Sequence, residues 1–468
     1  MTITFHGAAR TVTGSKHLVT LADDTRILLD CGMFQGMGEH TEDLNEHFGF
    51  NPQKVDYLIL SHAHIDHCGL IPRLVAEGFK GTIFCTRPTL DLVEIMLMDS
   101  ARIQEQDTEY SNKHRKQHNL PLLNALYTED DVTASLKLFK TVDYHQVYAI
   151  TPNVKFQFTD AGHLLGSAAI HLVVTEDGND THITFSGDVG RYGDLLLKSP
   201  EIFPQADYIL LESTYGDSLH QEAGPIEDKL LEIITDTCVN KKGKVIMPAF
   251  SVGRTQELLY ALNHLELKGV LPDLKYYADS PLSEKATRVI MSHPEVYNKE
   301  VSEVLKVDAN PFDFKGLHFI ETTDESKALN DNPEPCVIIS SSGMAEAGRV
   351  KHHIKNNIGK ENCTILMTGY CEPNSLGGRL LRGDQEVSIF GERFKVLARI
   401  QAIKSMSAHG DYDDLLHFIG SQALAKVKKV FLVHGEYEVQ QHFRQKILGK
   451  GFANVEIPYQ HQKIELQE

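Results

Sequence analysis

The hexapeptide His62-Ala63-His64-Ile65-Asp66-His67 decides the fold of this chain. It follows Val55–Leu60 (VDYLIL) after one residue, and this apolar run predicts a buried β-strand. Residues two positions apart lie on opposite sides of a helix, so this spacing does not indicate a helical histidine cluster. A tight loop at the end of the strand can instead direct the imidazoles and the carboxylate toward one point. Both are ligands that zinc prefers in catalytic sites, so the hexapeptide predicts a metal site.

Single polar residues elsewhere occupy the same kind of position, just past an apolar strand and near a glycine. They are Asp30 in RILLDCG, His163 in DAGHLLG, Asp188 in TFSGDVG and His434 in FLVHGE. Taken singly, each is better explained as a turn residue or a satisfied polar group, because burying a lone Asp or His is costly. Taken together, these strand ends can converge on one edge of a sheet, where α/β folds place ligands.

The secondary-structure signals divide the chain into two kinds of segment. Short strands such as Met1–Arg10 and Lys16–Leu21, joined by Gly- or Asp-containing turns, come first. Strands then alternate with helices of about a dozen residues, a texture typical of parallel α/β units. A strand–helix pattern returns near the end. We therefore expect a discontinuous first domain of residues 1–216 and 405–468, with residues 217–404 inserted into it.

Length and composition indicate a globular protein with two domains. The chain has 468 residues, of which 41% are hydrophobic and 24% charged. Its 7 cysteines are an odd number and form no CxxC pair, so we expect free thiols and a cytoplasmic location. No signal sequence or apolar run of about 20 residues is evident, so we expect no membrane contact.

The formal net charge of -18 limits how this chain can meet a nucleic acid. An acidic protein does not attract a polyanion through its overall field. If RNA is the substrate, the attraction has to be local, from bound metal ions or a basic groove.

The motif HxHxDH, with the later single His and Asp motifs, resembles the metallo-β-lactamase family. The resemblance implies a four-layer αββα sandwich with a dinuclear metal site, and two Zn²⁺ ions per chain, although Mn²⁺ or Fe suits the same ligands. One ion would be held by His62, His64, His163 and Asp188, and the other by Asp66, His67, Asp188 and His434. Asp30 matches the family's acidic residue that orients the loop and ligands.

Glu212 in ILLESTYGD, His409 in SMSAHGD and the long insert resemble the β-CASP group of that family. The opening GAARTVTGSKHLV is similar to the group's 3′-end mRNA-processing endonucleases and their bacterial and archaeal relatives. The resemblance implies an inserted parallel α/β β-CASP domain and a ribonuclease, most simply an endonuclease. A hydroxide bridging the metals would be the nucleophile. His409, oriented by Glu212, would be the general acid, with Asp30 and Asp66 completing the catalytic set.

The insert offers candidates for binding the RNA backbone. Ser251 and Arg254 lie between a predicted strand and helix, where N–H groups and a guanidinium suit a phosphate. Ser341 and Ser342 follow another strand in the same manner. Arg379, together with Arg382 and Lys351, could extend a basic lining. Serine and glycine at such positions also serve ordinary helix capping.

Alternatives remain open at this level. Cys371 stands where the resemblance leads us to expect glutamine, which bears on RNA contact and not on the metal ligands. A DNA-processing nuclease of the same group, a small-molecule hydrolase of the same fold and an inactive RNA-binding subunit are the competing interpretations. We expect single-stranded RNA as the bound polymer, since a duplex is too wide for a narrow active-site slot. A homodimer or a processing partner would be the protein contact.

Overall fold

The computed structural model describes residues 1–220, 225–369, 371–403 and 406–466. Its contacts divide the chain into two compact units: unit 1 comprises Met1–Leu219 and His409–Glu468, and unit 2 comprises His220–Ala408. The boundary predicted between residues 404 and 405 lies outside the described residues.

The described part of unit 1 contains a mixed sheet, sheet I, in the order β22-β1-β2-β3-β4-β5-β6. Pairing is antiparallel from β22 to β3 and parallel from β3 to β6. Its strands are β1 Thr2–Gly7, β2 Lys16–Thr20, β3 Arg26–Leu29, β4 Tyr57–Ile59, β5 Thr82–Cys85, β6 Phe139–Thr141 and β22 Gln462–Glu465.

A second mixed sheet of unit 1, sheet II, has the order β21-β20-β11-β10-β9-β8-β7. The strands from β21 to β10 run parallel, and those from β10 to β7 antiparallel. Its strands are β7 Tyr148–Thr151, β8 Val154–Asp160, β9 Ala168–Glu176, β10 Asn179–Phe185, β11 Tyr208–Glu212, β20 Lys429–Val433 and β21 Val455–Glu456.

The two sheets of unit 1 pack face to face. Their core joins Phe5 and Leu29 of sheet I to Phe158, Phe185 and Phe431 of sheet II. Alternate residues point the other way, and those of sheet II bury against helices near the end of the chain. The helices of unit 1 are α1 Thr41–Glu46, α2 Ile65–Cys68, α3 Ile71–Ala76, α4 Arg87–Gln117, α5 Glu129–Leu136, α13 Tyr412–Phe418 and α14 Tyr437–Gly449.

Unit 2 contains a parallel sheet in the order β14-β13-β15-β12-β16-β19, with helices between its strands. Its strands are β12 Lys244–Pro248, β13 Lys275–Asp279, β14 Leu317–Phe319, β15 Cys336–Ser340, β16 Thr364–Met367 and β19 Arg399–Ala402, beside the hairpin β17 Glu386–Ile389 and β18 Glu392–Lys395. Its helices are α6 Ile226–Ile234, α7 Arg254–Leu267, α8 Pro281–Met291, α9 Lys299–Val304, α10 Thr323–Asp331, α11 Gly348–Asn357 and α12 Leu376–Arg382.

The fold class expected from the sequence is confirmed: a mixed α/β protein with a two-sheet first unit and a parallel α/β second unit. The first strand is shorter than the predicted Met1–Arg10, because it ends at Gly7. Ala8 and Arg10 take positive φ angles of 46° and 64°, which break the extended backbone there.

Candidate metal centre

The strand ends of unit 1 bring the predicted site residues together. In sheet I, Asp30 follows β3 and His62 lies just past its parallel neighbour β4. In sheet II, Asp188 follows β10, Glu212 ends β11 and His434 follows β20, and these strands are parallel neighbours. Because parallel strands present their carboxyl ends at the same edge, these residues meet there.

The hexapeptide itself divides into a loop and one helical turn. His62 and His64 lie in the loop that the sequence predicts, and His64 precedes the first residue of α2 in extended conformation, with ψ 146°. Asp66 and His67 lie within α2, which the spacing alone did not indicate. This turn places consecutive residues on adjacent faces, so both side chains reach the same centre.

Four side chains form a first group, which we call group A. His62, His64, His163 and Asp188 offer ligand atoms that all lie within 4.8 Å of one another. Nδ1 of His64 lies 3.1 Å from Nε2 of His62 and 3.2 Å from Nε2 of His163. Oδ2 of Asp188 is 3.5 Å from Nε2 of His62 and of His163. These donors surround one position.

Asp66, His67 and His434 form a second group, group B, by the same distance criterion. Nε2 of His434 lies 3.3 Å from Oδ2 of Asp66. Asp188 also reaches this group, since its Oδ2 is 3.2 Å from Nε2 of His67 and its Oδ1 is 3.5 Å from Nδ1 of His434. Asp188 therefore lies within reach of both groups, and its bridging role stays a prediction.

The protonation preferences suit metal ligation. Burial lowers the pKa of His62 well below its usual range and that of His64 to about 4, so both imidazoles are neutral at pH 7. Burial opposes the ionisation of Asp188, but nearby imidazoles, above all His434 and His67, hold its pKa well below the usual value. Metal ligands must be deprotonated, and these three are.

Two buried atoms show that the donor set fits divalent ions. Nε2 of His67 and Oδ1 of Asp188 are fully buried, and neither has a hydrogen-bond partner among the described residues. Leaving buried polar atoms unsatisfied is costly unless a cation or another partner meets them. Around His67, burial is outweighed by Asp188, Asp66 and Asp30, which raise its pKa well above the usual value. The carboxylates of the centre therefore create a negative potential that stabilises a bound proton or cation.

Asp30 is hydrogen-bonded to His67. Its Oδ2 accepts a hydrogen bond from Nδ1 of His67 at 2.6 Å, which leaves Nε2 of His67 to face the centre. Ser61 donates to Asp30 through its main-chain N–H (2.7 Å) and its hydroxyl (2.8 Å), and the hydroxyl of Ser15 adds a longer bond. These bonds fix a fully buried carboxylate.

The pair Glu212–His409 borders group A and group B. Nδ1 of His409 lies 3.1 Å from Oε1 of Glu212 and 4.0 Å from Oδ2 of Asp188. The main-chain N–H groups of Val189 and Thr214 donate to the carboxylate of Glu212, which is fully buried. Burial opposes protonation of His409, but Glu212 and Asp188 outweigh it and raise its pKa to about 9. The contact with Glu212 accordingly orients His409 and favours its protonated form.

Three residues at the centre escaped the sequence analysis. Ser61 orients Asp30, and the hydroxyl of Thr214 lies 3.0 Å from Nδ1 of His434. His17 is fully buried between the rings of Phe5 and Phe185, and within the part of the chain that the structure describes neither of its ring nitrogens has a hydrogen-bond partner. Ser61 could have been found, because it directly precedes the hexapeptide. The other two carry no local signal.

In unit 2, the predicted serines cluster at one edge of the parallel sheet. The hydroxyl of Ser280, the residue before α8, lies 3.1 Å from that of Ser251 and 3.3 Å from that of Ser341. Ser342, next in the chain, lies close to the main chain of Ala347 instead. The loops after β12, β13 and β15 thus form a hydroxyl-lined edge, and phosphate binding there stays a prediction.

The predicted arginines of unit 2 are engaged in ion pairs. Arg254 is buried and its guanidinium pairs with Glu257 one helical turn later, so binding a phosphate would require that pair to open. Arg379 and Arg382 both pair with Asp384, at 3.2 Å and 3.0 Å. These contacts neutralise much of the basic lining expected from the sequence.

The other predicted residues of unit 2 are Lys351 and Cys371. Lys351 donates to the main-chain oxygen of Glu346 at 3.1 Å. Cys371 is half-buried and packs on the hydrophobic core of unit 2, and Tyr370 beside it lies outside the described residues. Cys371 therefore lies in a packing contact within unit 2.

Among the described residues, no helix is long and apolar enough to cross a membrane.

Three family models match successive parts of the chain. Residues 18–211 match the metallo-beta-lactamase superfamily domain. Residues 255–380 match the Beta-Casp domain, and residues 393–458 match the Zn-dependent metallo-hydrolase RNA specificity domain. The first two of these domain types are those that the sequence resemblance named.

Relatives that match more than nine-tenths of this chain support the same family. Ribonuclease TTHA0252 of Thermus thermophilus is 35% identical over 443 residues, which covers 94% of each chain. An RNase J-like protein of Methanocaldococcus jannaschii is 33% identical over 435 residues, 92% of each chain. Transcription termination factor FttA of the same organism is 31% identical over 444 residues, 93% of this chain and 67% of its own.

Proposed function

This chain belongs to the β-CASP group of the metallo-β-lactamase superfamily, and on that premise we propose that it is an endoribonuclease that works with two zinc ions. The observation that carries the proposal is the convergence of group A and group B on Asp188, with the Glu212–His409 pair beside them. Similarity to a ribonuclease and to an RNase J-like protein over more than nine-tenths of this chain favours RNA as the substrate.

Each group would hold one ion. Group A supplies His62, His64, His163 and Asp188, and group B supplies Asp66, His67 and His434 with Asp188 shared. An imidazole–carboxylate set of this kind suits zinc, and manganese or iron fits the same atoms. When bound, a divalent pair lowers the pKa of water and stabilises negative charge on a phosphate.

The chain's own residues then supply orientation and a proton. Asp30 fixes the tautomer of His67. His409 lies on the rim of the centre, 17% exposed, where its imidazolium can meet a substrate oxygen. Cleavage of a phosphodiester leaves an alkoxide, and we assign its protonation to His409, held by Glu212. Glu212 is a positioning residue, since its carboxylate is fully buried behind the imidazole.

Backbone phosphates of a single RNA strand would contact the hydroxyl-lined edge of unit 2. Ser251 and Ser341 share the Ser280 hydroxyl, and Ser342 follows in the same loop. The first N–H groups of α7 lie next to Ser251 in the chain. A cytoplasmic location belongs to the proposal and is supported by the cysteines, all within the described residues, which form no disulfide.

Cleavage of an internally labelled single-stranded RNA and the matching DNA, with and without added zinc, tests the proposal. The wild type should make internal cuts in RNA and not in DNA. His64→Ala/Asp66→Ala should abolish cutting and reduce the bound zinc, because it removes one ligand from each group. The matched control is His47→Ala/Asp43→Ala, which removes an exposed His–Asp pair and should change nothing.

Other outcomes have defined meanings. Cutting of DNA would move the chain to the DNA-processing branch of the group. A wild type that retains two metal ions and cuts neither polymer would overturn the nuclease assignment, and hydrolysis of small esters would then identify a small-molecule hydrolase.

Removal of the proton donor gives a second test. His409→Ala should lower kcat by about 10²- to 10⁴-fold. Glu212→Gln should lower it by less, since the imidazole remains and loses only its carboxylate partner. The double variant should be no slower than His409→Ala alone, because the two residues act as one unit. Loss of bound zinc from either single variant would instead indicate a structural role.

A further inference from the structure

The turn of the β17–β18 hairpin in unit 2 carries an aromatic residue where the backbone disfavours one. Phe390 and Gly391 join the strands with φ angles of 53° and 78°. Two-residue hairpin turns with both φ positive strongly prefer Asn-Gly or Asp-Gly, and a bulky side chain at positive φ is an outlier. Stability of the turn alone would therefore favour asparagine over phenylalanine at position 390.

Burial does not explain the phenylalanine. Its side chain is 47% exposed, whereas Val387 and Ile389 of the same hairpin are 1% and 0% exposed and attach it to the core of unit 2. An aromatic residue that strains the backbone and yet stays half in solvent points to a role for the ring itself.

Basic side chains of α11 surround the ring. Nζ of Lys351 lies 5.2 Å and Nζ of Lys355 5.9 Å from the ring centroid, and the imidazole centroid of His352 lies 4.5 Å away with the two rings tilted by 33°. We call these three residues, together with Phe390, the Phe390 patch. Its helix is held firmly, because Arg349 and His353 on the other face of α11 bind the buried carboxylate of Asp279 at 2.7 Å and 2.6 Å.

The Phe390 patch is locally positive in an acidic chain. Lys355 pairs with Glu392 at 2.8 Å, but Lys351 donates only to a main-chain oxygen among the hydrogen bonds that the structure describes, which leaves its charge in place. Burial and then the surrounding cations, including Lys355, Lys327 and Lys351, lower the pKa of His352. With a net charge of -18 overall, the protein can attract a polyanion only at such local positions.

We propose that the Phe390 patch binds single-stranded RNA outside the metal centre, with one base stacked on Phe390 and the adjoining phosphates paired with Lys351 and Lys355. An exposed ring flanked by ammonium groups is the pattern that binds single strands without sequence preference. This inference rests on the proposed ribonuclease function, of which the patch is a substrate-holding surface.

Phe390→Asn tests the proposal sharply, because asparagine suits the turn and cannot stack. The full-length zinc-loaded variant should show a KM for single-stranded RNA raised about fivefold or more, with kcat little changed. Hydrolysis of bis(p-nitrophenyl) phosphate, which has no nucleotide strand for the patch to hold, should be unchanged. The melting temperature should stay the same or rise, since the strain at φ 53° is relieved.

A variant that removes the lysine charges gives a second test of RNA binding by the Phe390 patch. Lys351→Gln/Lys355→Gln should weaken RNA binding at low salt and flatten its salt dependence, by about 0.7 in the log–log slope for each phosphate that the variant no longer neutralises. Lys306→Gln is the matched control, since Lys306 is an exposed lysine of the same unit, paired with Glu303. It should leave affinity and slope unchanged.

Binding by fluorescence anisotropy in the non-cleaving His64→Ala/Asp66→Ala background separates this inference from the proposed function. If that protein binds RNA and Phe390→Asn weakens binding, the Phe390 patch is supported even where the wild type fails to cut RNA. Unchanged RNA affinity in both patch variants overturns it. A change in oligomeric state on Phe390→Asn with RNA affinity unchanged also overturns it and makes the patch a contact between copies of the chain.

Discussion

Asp30 illustrates how a single buried carboxylate controls a site in which it is not a ligand. It has an unusual backbone angle, φ 58°, and accepts bonds from His67, Ser61 and Ser15. An aspartate that accepts Nδ1–H fixes the histidine tautomer and raises the basicity of the other nitrogen. The energetic effect of Asp30 should therefore appear in metal affinity.

Asp30→Asn should weaken zinc binding about 10- to 100-fold, because the amide keeps the shape of the carboxylate and removes its charge from His67. Competition with a chromophoric chelator measures this affinity, and excess zinc should restore RNA cleavage. Asp24→Asn is the matched control, since Asp24 has a similar φ of 67° and is exposed. Unchanged zinc affinity in Asp30→Asn would contradict the orienting role.

At the scale of elements, main-chain hydrogen bonds connect helix α2 to the loop after β3 and to the residue that precedes β2. The N–H of Cys31 donates to the oxygen of His67, and the N–H of Ser15 donates to that of Asp66. Gly32 lies in this contact, where a Cβ atom would stand 1.6 Å from the main-chain oxygen of Asp66. The close approach of the loop after β3 to α2 thus sets where Asp66 and His67 lie.

Gly32→Ala should displace α2 and destabilise the protein by about 1–3 kcal/mol or more, since the clash is with main-chain atoms that cannot rotate away. The melting temperature and the zinc content should both fall. Gly420→Ala is the control in the same unit, because no atom lies within 4 Å of the added Cβ. A Gly32→Ala protein with normal zinc content would show that the loops can separate without disturbing the centre.

At the scale of the whole molecule, the buried polar side chains of the metal centre lower the stability of unit 1, and the rest of unit 1 has to offset this cost in folding free energy. Carboxylates and imidazoles of group A and group B lie close together, and two of their buried atoms have no hydrogen-bond partner in the described parts of the chain. Bound cations would offset these costs, so the stability of unit 1 should depend on metal concentration.

Chelation should therefore lower the melting temperature of the wild type. Zinc at 100 times its Kd should restore about 2.7 kcal/mol for each site occupied, by mass action. Calorimetry over a zinc titration measures the shift, and the transition of unit 2 serves as an internal reference if the two units unfold separately. A wild type that melts identically with zinc and with chelator would contradict a metal-stabilised centre.

Much of the fold and the centre could be predicted from the sequence. The hexapeptide, the strand ends at Asp188 and His434, and the change of texture into α/β units are local patterns. The alternation of apolar and polar residues and the position of a residue at the end of a strand depend only on neighbouring residues, so both can be recognised in the sequence. These patterns identified the candidate metal ligands, whereas Glu212 and His409 were selected through the family resemblance, which also assigned the roles of all these residues.

Tertiary structure decided what depends on partners distant in the chain. Thr214 meets His434 across 220 positions, and His17 lies between two rings from different sheets. Likewise, Phe390 acquires its basic neighbours only when the hairpin packs beside α11. Such contacts leave no periodic signal, because packing selects them after the strands and helices have formed. Sequence pattern determined which groups could bind metal, and folding determined which atoms support them and which surfaces remain exposed.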